Sequence, residues 1–248
     1  MAAGKFGPGS GILLVDGYNV LSNKITSLSE KASSELTDTT GIGDTAYETA
    51  PVGKVTMEVV QDGAFFDTTA LYSHAAFSGS VPTSPQATAR IMTVGFAGQT
   101  TGYPFVGCEG AYSDSYEVVA ELGNLQKANV TYAMTGTRSA GLILQPLAAQ
   151  TDSWDTTSSP VDNAASSSAG GVGFIQCTAA SGFSGFVGKV RHSSDDVTYS
   201  DLLSFTDNVT APFAERVTVS GTVNRYLSFT GIITGTGSIT IFAGFARG

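Results

Sequence analysis

The sequence predicts a mainly β protein, and three observations support this fold class. Serine, threonine, glycine and alanine are abundant, and charged residues make up only 13% of the 248 residues. Several segments alternate apolar and polar residues with a period of two, which is typical of half-buried strands. Polar turns recur at close spacing in the second half of the chain. We therefore predict a mainly β first domain with one short helix, followed by a second domain that is an antiparallel β-sandwich.

The first fifty residues are weakly patterned. Residues 1–11 contain four glycines and one proline and predict a flexible arm. The apolar run at 12–15 predicts a short buried strand that ends at the turn pair Asp16 and Gly17. Residues 17–51 show no sustained period. Two interpretations are open for them: a disordered segment, or an extended arm and loop that order only against a neighbouring copy of the chain.

Residues 51–66 predict the strand around which the first domain is organised. Apolar residues at 55, 57 and 59 alternate with Thr56 and Glu58, so one face is apolar while the other carries Glu58 and Asp62. Asp67 can cap a short helix that ends at Gly79. Strands are predicted over 87–97 and 105–111.

Residues 112–134 predict a β-hairpin. Two alternating segments flank a turn at Gly123 and Asn124. A further apolar run at 141–144 completes the predicted first domain, residues 1–149.

The segment 150–171 is rich in serine, threonine and glycine, and Trp154 and Val161 are its only large apolar residues. It predicts an exposed linker before a second domain at 172–248. The strands predicted in that domain are 172–179, 184–192, 197–205, 213–220, 224–233 and 238–246.

The charge balance bears on possible partners. The net charge is −9 and the isoelectric point about 4.5, whereas a protein that grips nucleic acid needs clustered lysine and arginine. No segment has the pattern of a signal peptide or a membrane span, so we expect a cytoplasm-like compartment and no membrane partner. The two cysteines, Cys108 and Cys177, fit no zinc spacing, and two buried thiols are favoured over one disulfide.

We find no pattern of catalytic or metal-binding residues. His74 and His192 lie in different predicted domains and outside any zinc motif. The acidic turn at Asp195 and Asp196 lacks the glycine and glutamate that an EF-hand loop requires. We therefore predict no enzyme activity, no metal and no cofactor.

The carboxylates of the predicted strands have two possible roles. They can form an ordinary solvated strand face, or they can line a channel that repels a polyanion and lets it slide. The carboxylates taken together favour the second interpretation, because Arg90 is the only cation between residues 71 and 126. The candidate lumen-lining residues are Glu58, Asp62, Glu109, Asp114, Glu117 and Glu121.

Short motifs along the chain resemble the major tail tube proteins of siphophages, in particular those of phages that infect actinobacteria and similar hosts. The motifs are VDGYN at 15–19 with LS at 21–22, ELTDTT at 35–40 with GD at 43–44, FFDT at 65–68, SSDDVTYSDL at 193–202, GTVNRYL at 221–227 and FAR at 245–247.

The resemblance implies a tail-tube-type β-sandwich that stacks as rings and continues its sheets across subunits into a hollow tube. It implies that 17–51 is a loop reaching the next ring, and that 172–248 decorates the outside or helps to build the tube. The implied partners are further copies of the chain, the tape measure protein, the tail terminator and tip proteins, and passing double-stranded DNA. The implied location is a virion tail assembled in the host cytoplasm. The candidate stacking residues are Tyr18, Leu21, Ile25, Leu28, Leu36, Ile42 and Tyr47.

A different class of function stays open beside this one. The protein could be a head-decoration or receptor-binding virion protein whose second domain binds carbohydrate or capsid. A carbohydrate site would need exposed aromatic side chains close together, and the candidates are Trp154, Tyr199 and Phe183.

Overall fold

The structure is a computed structural model that describes residues 11–19, 27–40, 42, 45–46, 49–65, 90–124, 126–134 and 137–248. This part of the chain is built of antiparallel strands, which confirms the predicted mainly β class. The strands are β1 (Ile12–Val15), β2 (Tyr18–Asn19), β3 (Ser27–Asp38), β4 (Thr49–Phe65), β5 (Arg90–Gly95), β6 (Pro104–Val119), β7 (Lys127–Met134), β8 (Arg138–Gln150), β9 (Trp154–Asp155), β10 (Val161–Asp162), β11 (Gly171–Ser193), β12 (Ser200–Ser204), β13 (Phe213–Val219) and β14 (Tyr226–Arg247).

Strands β3, β4, β7 and β6 lie side by side in that order, and we call them the four-stranded sheet. Side chains alternate along it as the sequence predicts: Val59 is buried between Glu58 and Val60, which are only half-buried. In β7 every second residue, from Ala128 to Met134, is buried. The buried side chains of this sheet therefore belong to one hydrophobic cluster, to which β1 and β5 also contribute side chains.

Strand β1 lies at the centre of the molecule and is buried on both faces, as its uninterrupted apolar run predicts. Leu13 and Val15 pack into the cluster beneath the four-stranded sheet. Ile12 and Leu14 pack into a second cluster that includes Phe174 of β11. The strand thus joins the cores of the two halves of the chain.

The second half differs from the prediction in the number of its strands. Residues 172–192 fall within one strand, β11, and residues 226–246 fall within one strand, β14. The breaks in the apolar pattern that suggested turns are irregularities of the β11–β14 pairing. Gly182 and Gly235 have φ angles of +85° and +92° there. Because glycine tolerates this backbone region, the two strands can bend without ending.

The segment predicted as an exposed linker is folded onto the second half, which corrects that prediction. Strands β9 and β10 both pair with β14. The Trp154 ring packs against Phe186 and Phe229 at centroid distances of 6.1 and 6.0 Å. Burial of Trp154 and Val161 therefore anchors a stretch whose other residues are small or polar. The division of the chain into separate domains stays a prediction.

The N-terminal half also contains more strand than predicted. Part of the predicted loop at 17–51 forms β2 and the long strand β3. The 12-residue strand β3 has little apolar periodicity of its own and is held by pairing with β4. The predicted helix at 67–79 lies outside the described residues, and so does the predicted arm at 1–11 apart from its last residue.

A buried glutamine connects the β1–β2 turn to the second half. The side-chain oxygen of Gln176 accepts a hydrogen bond from the Gly17 amide at 2.6 Å. Its side-chain nitrogen donates to the Ile91 carbonyl at 3.1 Å. The Ile91 carbonyl also accepts from the Asp16 amide at 3.0 Å. Because Gln176 has no exposed surface, its side-chain oxygen supplies the buried acceptor for the Gly17 amide.

We expect Gln176→Leu to lower the free energy of unfolding by about 1–3 kcal/mol, because it leaves the buried Gly17 amide without this acceptor. Chemical denaturation followed by the fluorescence of the single tryptophan, Trp154, measures the change. Gln126→Leu, at an exposed position, is the control and should have almost no effect. Equal stabilities of the two variants would contradict this role of Gln176.

Candidate assembly interface

The surface of the four-stranded sheet that faces away from the core is polar, and we call it the polar face. Residues directly opposite one another on antiparallel strands share a face. Val60, Thr131 and Ser115 lie in one such row, and Asn129 and Glu117 in the next. The side chains of the polar face whose exposure is described are Ser27, Ser29, Lys31, Glu58, Val60, Asp62, Ser115, Glu117, Val119, Lys127, Asn129, Thr131 and Ala133.

The polar face carries both signs of charge. Three of its carboxylates come from the predicted lumen set, namely Glu58, Asp62 and Glu117. Lys31 lies directly opposite Glu58, and Lys127 lies opposite Val119 near the far end. The face is therefore acidic by only one charge among these residues, which is less than the run of acids in the sequence suggests.

The other three predicted lumen residues are placed differently. Glu109 binds Arg216 of β13, with 3.0 Å between the carboxylate oxygen and the guanidinium nitrogen. It thus faces the second half of the chain, because the bulge between Arg90 and Ile91 and the positive φ of Gly110 change the direction of β6. Glu121 lies in the β6–β7 turn. The side chain of Asp114 is outside the described residues. The lumen role of all six residues stays a prediction.

The four-stranded sheet ends in two strand edges. Strand β3 pairs only with β4 among the described strands. On the opposite side of the sheet, β5 pairs with β6 only as far as Ala111. No described strand covers that side of β6 over residues 112–119. An edge strand is a surface to which another strand can add.

A two-stranded ribbon extends the sheet at one end. Strand β4 pairs with β7 only from Met57 onward, while its earlier residues pair with β3 alone. We call residues 33–56 the ribbon. Leu36 and Ile42 of the ribbon are 62% and 111% exposed. Apolar side chains this exposed are the kind that a partner covers.

The remaining predicted stacking residues fall into two groups. Tyr18 and Leu28 are half-buried and pack against the cluster beneath the four-stranded sheet. Their side chains therefore support the fold of one copy. Leu21, Ile25 and Tyr47 lie outside the described residues.

The aromatic residues proposed for a carbohydrate site do not form an exposed platform. Phe183 is only 9% exposed and belongs, with Trp154, to the core of the second half. Trp154 also donates a hydrogen bond to the Gln145 side chain at 2.9 Å. Tyr199 lies beneath the Arg191 guanidinium at 6.0 Å and is hydrogen-bonded to Asp196.

Among the described residues, the one histidine is half-buried. His192 accepts a hydrogen bond from the Asn224 amide at 3.2 Å. Burial, together with the nearby Arg247 guanidinium, lowers the pKa of His192. His74 lies outside the described ranges. In the part of the chain that the structure covers, no three histidine, cysteine, aspartate or glutamate side chains come together as metal ligands, and no helix could span a membrane.

No protein-family model matches the chain, and no curated protein matches it. Among solved structures, the chain is similar to the SPP1 Dit (gp 19.1) protein, described as a paradigm of the hub adsorption apparatus in phages that infect Gram-positive hosts. The alignment covers 95% of this chain and 98% of Dit, at 12% identity and a TM-score of 0.35. An inference about function therefore depends on the sequence and on the geometry of the sheet.

Proposed function

We propose that this protein is a non-enzymatic structural subunit of a phage tail tube, in which copies join into stacked rings around a lumen that conducts DNA. The observation that carries this proposal is the four-stranded sheet, which is buried on one face, polar on the other and uncovered at both edges among the described residues.

The two edges suggest how a ring forms. The edge of β3 in one copy can pair with the edge of β6, at residues 112–119, in the next copy. Such a contact uses two different surfaces and repeats around a closed ring, so every copy satisfies both of its edges. The sheets of neighbouring copies then form one continuous wall. The polar faces of all copies lie on the same side of this wall, either towards the lumen or towards the outside.

An inward polar face suits the passage of DNA. Glu58, Asp62 and Glu117 repel phosphates, and the hydroxyl and amide groups between them offer no cationic cluster. Lys31 lies beside Glu58, so its charge is offset locally. Double-stranded DNA would slide past such a face without specific binding.

The ends of the sheet suggest the remaining partners. The ribbon extends beyond the sheet and presents Leu36 and Ile42, as expected of an element that contacts the next ring. Within a tail, the tape measure protein would occupy the lumen before DNA release, and the terminator and tip proteins would meet the two ends of the tube. The location is therefore the virion tail.

Negative-stain electron microscopy of the purified full chain tests this proposal. We expect rings, and hollow stacks of rings at higher protein concentration. Light scattering on the same sample should give a mass that is a whole multiple of the 25.4 kDa chain. A monodisperse monomer or a solid, discrete trimer at all concentrations would contradict a tube and favour a head-decoration or receptor-binding protein.

A further inference from the structure

An apolar groove lies between the two halves of the chain, at the end of the four-stranded sheet from which the ribbon extends. Its volume is about 760 Å³, and its walls include Val106, Ala140, Leu142 and Phe245. At its rim, the Phe96 ring is 41% exposed. A groove of this size can accept several side chains.

Two arginines flank the groove. Arg138 binds the Glu30 carboxylate with 2.7 Å between nitrogen and oxygen. Arg247 donates to the carbonyl oxygens of Ala165 and Val223 at 2.5 and 3.3 Å, and to that of Asn224. The two guanidinium groups and the Glu30 carboxylate together give the groove a net charge of +1.

The β6–β7 turn presents an apolar side chain that two acids precede in the sequence. Leu122 is 106% exposed, and Val118 before it is 42% exposed. The turn is held by the Asn124 amide, which donates to the Glu121 carbonyl at 3.1 Å. Gly123 follows Leu122 with φ at +85° and has open space around it. The turn thus holds Leu122 outward, directly after Glu121 and five residues after Glu117 in the sequence.

The groove and the turn lie at opposite ends of the same sheet. The row that joins Ala111 to Met134 marks the groove end, because β6 residues before Ala111 pair with β8 and line the groove. The turn follows Val119, about 26 Å further along β6 at the usual rise of a strand. One copy therefore cannot fill its own groove with its own turn.

We propose that the groove receives the β6–β7 turn of a second copy, with Leu122 entering between Phe96 and Ala140. This inference rests on the proposed tube and identifies a stacking contact within it. The acids beside Leu122 complement the positive charge of the groove. Because the two surfaces differ and lie at opposite ends, the contact is head-to-tail and propagates as an open stack.

Cross-linking in the full chain tests this contact directly. We introduce Leu122→Cys and Ala140→Cys together and treat the assembled protein with a short bis-maleimide. The native Cys108 and Cys177 are buried and should not react. A head-to-tail contact joins each copy to the next, so we expect a ladder of dimers, trimers and higher multimers on a denaturing gel.

The control pair combines Leu122→Cys with Ile232→Cys, an exposed apolar position of β14 outside the groove. It should give no ladder, and neither should the single variants. Leu122→Ser should raise the protein concentration needed for stacking about tenfold or more while leaving single rings intact.

Two results would overturn the inference and leave the tube standing: hollow stacks without a ladder from the groove pair, or dimers as the only product. A ladder from a sample that shows no rings would support the contact and overturn the tube.

Discussion

Replacing Gly17 with alanine should lower the free energy of unfolding by roughly 4 kcal/mol, near the upper end of single-residue effects. Gly17 has φ at +82°, a region that costs an ordinary L-residue about 1–2 kcal/mol. An added Cβ would lie 2.4 Å from the Cys177 carbonyl oxygen and 2.6 Å from the Phe213 amide nitrogen. Both are backbone atoms of paired strands, so neither can move without separating β11 from β13.

Gly102 provides a matched control. Its φ is also +82°, but no atom lies within 4 Å of the position that a Cβ would take. Gly102→Ala should therefore lower the free energy of unfolding only by the cost of the positive φ angle, about 1–2 kcal/mol. Chemical denaturation followed by Trp154 fluorescence compares the two variants. If Gly17→Ala and Gly102→Ala are destabilised equally, the close approach between the turn and the second half has no energetic role.

The elements that the sequence predicts well are those whose patterns arise within a few residues. The run at 12–15 indicates a buried strand, Asp16 and Gly17 indicate a tight turn, and Gly123 indicates the turn of the β6–β7 hairpin. In each case the local residues determine both the burial and the backbone angles. These predictions are confirmed.

Elements that depend on distant partners are predicted less well. Strand β3 is rich in serine and has little apolar alternation, so only its pairing with β4 defines it. The bends at Gly182 and Gly235 look like turns because a glycine at a bulge and a glycine at a turn have the same local signature. The groove cannot be read from the sequence, since its walls come from β5, β6, β8 and β14.

Only part of the candidate interface could be predicted from the sequence, because the rest depends on pairing between strands that are distant in the chain. Alternation in β4 places Glu58 and Asp62 on one face, and the structure brings Glu117 to that face through the β7 register. Glu109 is separated from them by a bulge and meets Arg216, a residue far along the chain. Lys31 joins the polar face through β3, which the sequence did not predict.

A cysteine on the polar face should become inaccessible to large probes when the protein assembles. We expect Asp62→Cys to react with biotin-maleimide in both unassembled and assembled protein, because Asp62 is exposed and a lumen that passes DNA admits a small reagent. Streptavidin should then bind the biotinylated unassembled chain but not the assembled tube, since it is too bulky to enter. The native thiols are buried, which keeps the label at the introduced site.

Asp152→Cys is the matched control, because Asp152 is also an exposed aspartate but lies outside the four-stranded sheet. Its biotin should bind streptavidin before and after assembly if the second half faces outward. The decisive quantity is the ratio of streptavidin binding between assembled and unassembled samples at the two sites. A ratio near one at Asp62 would place the polar face on the outside of the wall, and the carboxylates there would then serve only as a solvated surface.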